Sequence, residues 1–399
     1  MKAAVYYETG DPSVFRYEDV PDPVPGPGDV LIDVEAVSIE GGDTLNRLGG
    51  DLTRVPHIVG YQCAGTVATV GPDVPDFAVG DRVVTVGLDG SHAARRAVPA
   101  GFAWAVPDGV ALDKAACVPV PFGTADDCLF EFGRLQAGET VLIHAGAGGV
   151  GVAAIQMAKR AGARVFATAS SDDRLERLKA LGLDEGINYV THDFVAEARR
   201  LTDGRGVDVI VDSVGGRTLQ GSVHALAYRG RCVTVGDAGR APAEHLDIST
   251  MRGNNQTLSG YFLGAELLLA PRAHAMIAGH LEAIARGELR VVIDRTFPHS
   301  DAAGAHAYIE SRQAFGRGPP RPLGRGRRGR PPPPERTKAL VTSHRGAGAA
   351  VARRQRRQVS VGVGQRPQVD CVARRQQRVD RIALVPHVGV HRGPHHTPV

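Results

Sequence analysis

The chain predicts an α/β fold: a doubly wound parallel sheet, with a β-rich domain before it and a disordered basic tail after it. Three observations carry this. Residues 140–168 read as strand, glycine turn, amphipathic helix and strand. Residues 1–125 alternate short β-like runs with Gly and Pro turns, and no strand–helix–strand pattern begins before residue 126. Composition breaks at residue 318. Residues 318–399 hold 17 Arg and one Lys against three acids, a net charge of +15, with no Phe, Trp or Tyr. Residues 1–317 carry 29 basic and 40 acidic residues, a net of −11. A chain of 399 residues exceeds what one hydrophobic core usually supports, so more than one domain is expected.

In order, residues 1–6 look like a first strand rather than a leader. Strands follow at 30–37, after the Pro25-Gly26-Pro27-Gly28 turn, at 63–70, ending at Gly71-Pro72, and at 82–86, after Gly80-Asp81. This spacing suits a small barrel. From 126 the pattern becomes strand–helix alternation, which implies a parallel sheet. Strands are expected at 141–144, 164–168, 186–190, 207–212, 231–236 and 258–261, with helices at 172–181, 194–202 and 217–226 between them. A helix at 271–286, an extended run at 291–297 and a helix at 301–315 complete the body. Five scattered cysteines without a C-x-x-C pair suit a reducing, cytoplasmic setting. No apolar run approaches the ~20 residues that a membrane span needs.

The turn Gly146-Ala147-Gly148-Gly149-Val150-Gly151 fits G-x-G-x-x-G between a strand and a helix. Gly146 is expected to permit the tight turn, Gly148 to let a pyrophosphate approach the backbone, and Gly151 to let the helix pack close. The helix N-terminus then faces the phosphates. An acid normally ends the second strand to hold a ribose 2′-OH. Ala169 stands at that place here, followed by Ser170, and Arg174 follows on the next helix. A hydroxyl and a cation suit a 2′-phosphate, so the expected cofactor is NADPH. The alternative is that Asp172 or Asp173 reaches the ribose and Arg174 is a solvated helix residue.

Several further motifs extend the pattern: Ala36 to Thr44, Val59 to Val67, Gly80-Asp81-Arg82-Val83, Pro119 to Ala125 and Asp212-Ser213-Val214-Gly215-Gly216. With the glycine turn they resemble the medium-chain dehydrogenase/reductase superfamily, most closely its zinc-less quinone oxidoreductase (zeta-crystallin-like) branch. The resemblance implies a GroES-like catalytic domain (1–125 and 263–317) around a Rossmann domain (126–262). It implies a homodimer acting on a small molecule, with neither a membrane nor a nucleic acid as partner. Thr124, Tyr189, Gly236 and Phe262 match cofactor-lining positions, although Tyr189 reads equally as a buried strand residue. The zinc enzymes of this superfamily use a Cys and a Gly-His-Glu; the matching positions here are Glu40 and Gly60-Tyr61-Gln62. Such ligands do not suit tetrahedral zinc, and His57 reads as a surface or loop residue, so no metal is expected. The family pattern Asn-x-x-Asp-x-Tyr becomes Glu40-Gly41-Gly42-Asp43-Thr44-Leu45. Asp43 is therefore either a catalytic group or a helix cap, Glu40 replaces the amide, and Tyr61 is the candidate proton donor.

Together with these residues, the resemblance implies an NADPH-dependent, metal-independent reductase acting on a quinone or an α,β-unsaturated carbonyl. An enoyl-thioester reductase is the alternative, since Ala167-Thr168-Ala169-Ser170 and Leu183-Asp184-Glu185 echo the enoyl-reductase modules of polyketide synthases. A non-catalytic NADPH- or RNA-binding protein using the basic tail is the alternative from another class. The tail admits a different explanation. Gly318-Pro319-Pro320-Arg321-Pro322 has codons GGN-CCN-CCN-CGN-CCN. Read one nucleotide later, these can spell Val-Leu-Leu-Val, the terminal strand expected after Gly316-Arg317. Residues 318–399 are accordingly read as a disordered frameshift product that leaves the catalytic sheet without its last strand.

Overall fold

The computed structural model describes residues 1–240, 246–311 and 339–342. The N-terminal part holds β1 (Lys2–Val5), β2 (Arg16–Asp19), β3 (Asp29–Ser38), β4 (Gln62–Val70), β5 (Arg82–Val86), β6 (Arg95–Pro99) and β7 (Ala103–Ala105). Helix α1 (Gly41–Gly49) lies between β3 and β4, and α2 (Leu112–Ala115) and α3 (Pro119–Asp126) lead into the second domain. That domain runs β8 (Thr140–Ile143), α4 (Gly149–Arg160), β9 (Arg164–Ala169), α5 (Asp172–Lys179), β10 (Glu185–Asn188), α6 (Phe194–Leu201) and β11 (Val207–Asp212). It continues through α7 (Gly216–Ala225), β12 (Leu226–Thr234), α8 (Ser249–Gly253) and β13 (Thr257–Gly260). The chain then returns through α9 (Leu263–Leu269), α10 (Arg272–Ala285), β14 (Arg295–Pro298), α11 (Ala302–Glu310) and β15 (Ala339–Thr342).

The second domain's six strands are all parallel, in the order β10-β9-β8-β11-β12-β13. Crossover helices cover both faces, which is why these strands read as continuous apolar runs. Val141, Ile143, Val165, Ala167, Val209 and Val211 share the core with α4. Leu142, Phe166, Ile187 and Ile210 pack into the opposite core with Ala198 of α6. Local signals bound the helices. Gly162 takes a φ of 82° just past α4, where a left-handed residue stops a helix. Asp193 caps α6 by accepting from the Ala196 amide at 2.9 Å.

The other large sheet has seven strands along β14-β15-β3-β4-β5-β7, with β6 paired to β3. Three expectations change here. The extended run at 291–297 contains a strand only at Arg295–Pro298, and the helix expected at 301–315 is Ala302–Glu310, with 312–315 outside the described residues. The sheet is not missing its last strand. Ala339–Thr342 pairs antiparallel to β14 and parallel to β3, because an apolar tetrapeptide later in the chain satisfies the same backbone groups. The rest of the expected tail, 318–338 and 343–399, lies outside the described residues. His57 stands in the loop before β4, joined to Tyr6 by an isolated bridge, and is buried there with its ring 5.1 Å from the Tyr6 ring. Among the described residues no helix is long and apolar enough to cross a membrane.

Candidate active site

The glycine turn sits at the carboxyl end of β8, where open parallel sheets present their ligand crevice. Its left-handed residue is Ala145 (φ 49°), not Gly146. The glycines serve close packing instead. A Cβ on Gly146 would meet Ala167 Cβ at 2.8 Å, and one on Gly151 would meet the Ala145 carbonyl oxygen at 2.5 Å. Gly148, by contrast, faces open space: its Cβ would meet only the Ala145 oxygen, at 3.2 Å. Gly149, Val150 and Gly151 form the first turn of α4, whose amides have no intrahelical acceptor. The turn therefore has the bare backbone and the donors that a pyrophosphate needs.

A buried relay fixes this turn. Ser222 donates to Asp212 Oδ2 at 2.8 Å and lies 3.0 Å from His144 Nε2. Because the carboxylate takes the serine proton, Nε2 must donate to Ser222. His144 Nδ1 is then the acceptor for Thr168 Oγ1 at 3.1 Å, and Thr168 Oγ1 accepts from the Ala145 amide at 3.3 Å. Burial lowers the pKa of His144, consistent with a neutral ring. Four elements (β8, β9, β11 and α7) are thus tied to the one left-handed residue of the turn.

Ser170 follows β9 directly, and Arg174 lies in the first turns of α5. Asp172 accepts from Asn188 Nδ2 at 3.0 Å, so this carboxylate is turned towards β10. Tyr189 does not lie buried in the strand: it stands just past β10, 46 % exposed, with its amide donating to the Ala169 carbonyl at 3.1 Å. Ser170 and Tyr189 thereby stand at the end of β9, where the Ala169 position carries no carboxylate. Gly236 follows β12, and Phe262 precedes α9 with 63 % of its surface exposed. Thr124 is buried in α3. The open turn, the hydroxyl and the cation fit a dinucleotide carrying a 2′-phosphate.

In the N-terminal part, Glu40, Asp43 and Tyr61 come together around the start of α1. Asp43 is fully buried and accepts from the Glu40 amide at 2.8 Å and the Tyr61 amide at 3.1 Å, one on each oxygen. Burial pushes its pKa up to about 8, with the Glu40 carboxylate adding to the rise. With both oxygens occupied by backbone amides, its geometry is that of a cap tying α1 to the 60–61 segment. Glu40 Oε1 accepts from Ser38 Oγ at 2.8 Å and from Gln62 Nε2 at 2.6 Å, and burial raises its pKa too. Gln62 Oε1 in turn accepts from the Val120 amide at 2.9 Å, in the first turn of α3. Tyr61 keeps its proton: its oxygen accepts from Asn46 Nδ2 at 3.1 Å, and burial raises its pKa. A Cβ on Gly42 would meet the Tyr61 ring at 2.5 Å, so glycine lets the ring lie on the helix.

Two positioning residues escape motif reading. Asn46 supports Tyr61, and the buried Arg96 donates to the Tyr61 carbonyl at 3.0 Å and to the Gly60 carbonyl at 3.4 Å. Arg96 is a strand residue whose inward position shows only once β6 is paired. Among the described residues, no group of three or more His, Cys, Asp or Glu side chains is placed to hold a metal ion.

Known proteins share this layout. Residues 26–120 match the alcohol dehydrogenase GroES-like domain, and residues 149–279 match the zinc-binding dehydrogenase family. A 2-haloacrylate reductase from a Burkholderia species is 33 % identical over 79 % of this chain and 97 % of its own length. The chain belongs to the medium-chain dehydrogenase/reductase superfamily, in its quinone oxidoreductase branch. A quinone oxidoreductase of Pseudomonas aeruginosa is 32 % identical over 77 % of this chain and 95 % of its own. A mycobacterial structure solved in complex with NADPH superposes with a TM-score of 0.75 at 31 % identity, covering 86 % of this chain and all of that one. This member is an oxidoreductase with the family's two-domain fold.

Proposed function

We propose that the protein is an NADPH-dependent, metal-independent reductase of quinones and α,β-unsaturated carbonyl compounds. The hydrogen bond from Gln62 to Glu40 carries the reading. At two of the positions that match the zinc enzymes' Cys and Gly-His-Glu, an amide N–H donates to a carboxylate instead, at 2.6 Å. Substrate activation therefore falls to positioning and proton donation. The nicotinamide supplies hydride when bound. The amides of the glycine turn hold the pyrophosphate, Ser170 and Arg174 hold the 2′-phosphate, and Tyr189 covers the adenosine side. Gly236 and Phe262 wall the nicotinamide, and Thr124 supports that wall from within α3. Tyr61 donates its phenolic proton to the acceptor oxygen, completing a two-electron, two-proton reduction. Asp43 and Asn46 orient Tyr61, and Glu40 orients Gln62.

The names of two relatives support the acceptor class, one a 2-haloacrylate reductase and the other a quinone oxidoreductase. The NADPH complex of the mycobacterial neighbour supports the cofactor. The test is a panel of acceptors followed by NADPH absorbance: 1,4-benzoquinone, an unsubstituted enone, a 2-substituted acrylate and an enoyl thioester. Turnover of the quinone or the conjugated carbonyls is expected. Turnover of the thioester alone would move the protein to thioester reduction.

A further inference from the structure

One set of contacts bridges the two domains through residues that have no role above. Arg240 stands in the turn after β12, in the cofactor domain, with a left-handed φ of 54°. Such a conformation is uncommon outside glycine and persists where surrounding contacts hold it. Its Nη2 donates to Thr44 Oγ1 at 2.9 Å, on α1 of the catalytic domain, and its Nη1 lies 3.4 Å from Glu310 Oε1 at the end of α11. The same Glu310 oxygen accepts from Arg47 Nη2. Arg47 is fully buried on α1 and leaves its Nε and Nη1 without a hydrogen-bond partner.

The charge balance separates a permanent link from a conditional one. Arg47 and Glu310 both belong to the catalytic domain, and the carboxylate is the charge partner of a buried guanidinium. Removing that partner would strand a buried cation, so this link persists in any arrangement of the domains. Arg240 adds a second cation to the same oxygen and keeps 32 % of its side chain exposed. Its gain is modest, and it exists only while the turn after β12 sits against α1. Thr44 also donates to the Gly41 carbonyl at 2.8 Å, so Arg240 grips the first turn of α1. That turn carries Asp43, and the same helix carries Gly42 and Asn46, which seat Tyr61.

We infer that Arg240 is a positioning residue, a latch through which the cofactor domain fixes α1 and so sets Tyr61 at the distance that proton donation requires. The inference rests on the reductase reading of the cleft, and deepens it by naming the group that couples cleft closure to the proton donor. Displacements of about 1 Å at such a site can cost about a hundredfold in rate. A latch of this kind acts on turnover rather than on cofactor affinity, since it touches neither the glycine turn nor the end of β9.

The experiment compares Arg240→Met, Arg240→Lys and Thr44→Val in the full chain. Amide hydrogen exchange is read with and without NADPH, beside kcat and both KM values. With Met at 240, exchange of residues 41–49 is expected to rise about threefold or more while 140–160 stays unchanged, a local rather than global loosening. The kcat is expected to fall about tenfold, with the KM for NADPH within about twofold. Lysine, which keeps the charge and one donor, restores most of both. Thr44→Val, which removes the acceptor together with Thr44's own bond to the Gly41 carbonyl, shifts them in the same direction and further, and serves if the Met variant does not fold. Unchanged exchange across 41–49, or unchanged kcat in a variant that turns over an acceptor, overturns the latch. Because exchange needs no substrate, a protein that reduces none of the acceptors contradicts the proposed reaction and still leaves the latch to be judged.

Discussion

Two glycines three residues apart should fail in opposite ways. Gly148 has φ −79° and ψ 171°, a conformation open to any L-residue. An alanine there would meet only the Ala145 oxygen, at 3.2 Å, which a shift of a few tenths of an ångström relieves. The loss of a good N-cap residue adds a cost of less than about 1 kcal/mol. The new methyl group, however, projects over the amides offered to the pyrophosphate. Keeping the phosphates off those donors should weaken NADPH binding about tenfold or more, equivalent to about 1.4 kcal/mol. At Gly151 an alanine Cβ would lie 2.5 Å from the Ala145 oxygen and 2.7 Å from both the carbonyl carbon and the Cα of Gly146. All of these are backbone atoms, so α4 itself must move, at the roughly 1–3 kcal/mol typical of overpacking. Urea unfolding without cofactor and fluorescence titration with NADPH separate the two. Gly148→Ala should unfold near the wild-type midpoint and bind NADPH poorly, while Gly151→Ala should lose stability before any ligand is added. Wild-type NADPH affinity in Gly148→Ala would refute the claim that this backbone faces the pyrophosphate.

Tyr61→Phe should lower kcat about ten- to a hundredfold, less than the loss of an indispensable acid, because solvent can protonate a hydroquinone or enolate oxygen; an unchanged kcat removes Tyr61 from proton transfer. Acid should destabilise the fold through His92. Its pKa is pushed down to about 3, chiefly by burial. The unfolded chain therefore takes up a proton below about 6.5 that the folded chain refuses, and stability falls as pH drops from 6.5 towards 3, with His306, 3.1 Å away and also held low by burial, adding to the fall. His92→Gln should flatten the fall of Tm with pH over that window, and an identical slope would assign the effect elsewhere. Sequencing independent clones across codon 317 tests the frame. A single-nucleotide correction should restore Val-Leu-Leu-Val from residue 318, whereas an unbroken frame makes 318–399 genuine sequence.

The parallel sheet was legible because its signals are local. A run such as Val207 to Asp212 is apolar whichever neighbour it pairs with, and Gly146 to Gly151 repeats a pattern whose chemistry requires glycine. The catalytic side was less legible, since its groups act through pairings that the chain order hides. Asn46 and Tyr61 are 15 residues apart, Gln62 and Val120 58 apart, and Arg240 and Thr44 196 apart. Ala145 shows the limit of motif reasoning within the best-marked segment. The motif puts the tight turn on a glycine, yet the left-handed φ falls on the alanine before it, where the Thr168 hydroxyl takes up its amide. The last strand shows the limit of the family pattern. Ala339–Thr342 occupies the seat between β14 and β3, because any short β-prone segment within reach can complete that ladder.

The most direct test is the ratio of kcat/KM for NADPH and NADH with a quinone acceptor, measured after exhaustive chelation, for the wild type and Arg174→Ala. NADPH should be preferred at least about tenfold, chelation should leave the rate intact, and Arg174→Ala should remove most of the preference through the KM for NADPH. Equal efficiency with the two cofactors, or activity that disappears with the metal, would contradict an NADPH-dependent, metal-independent reductase.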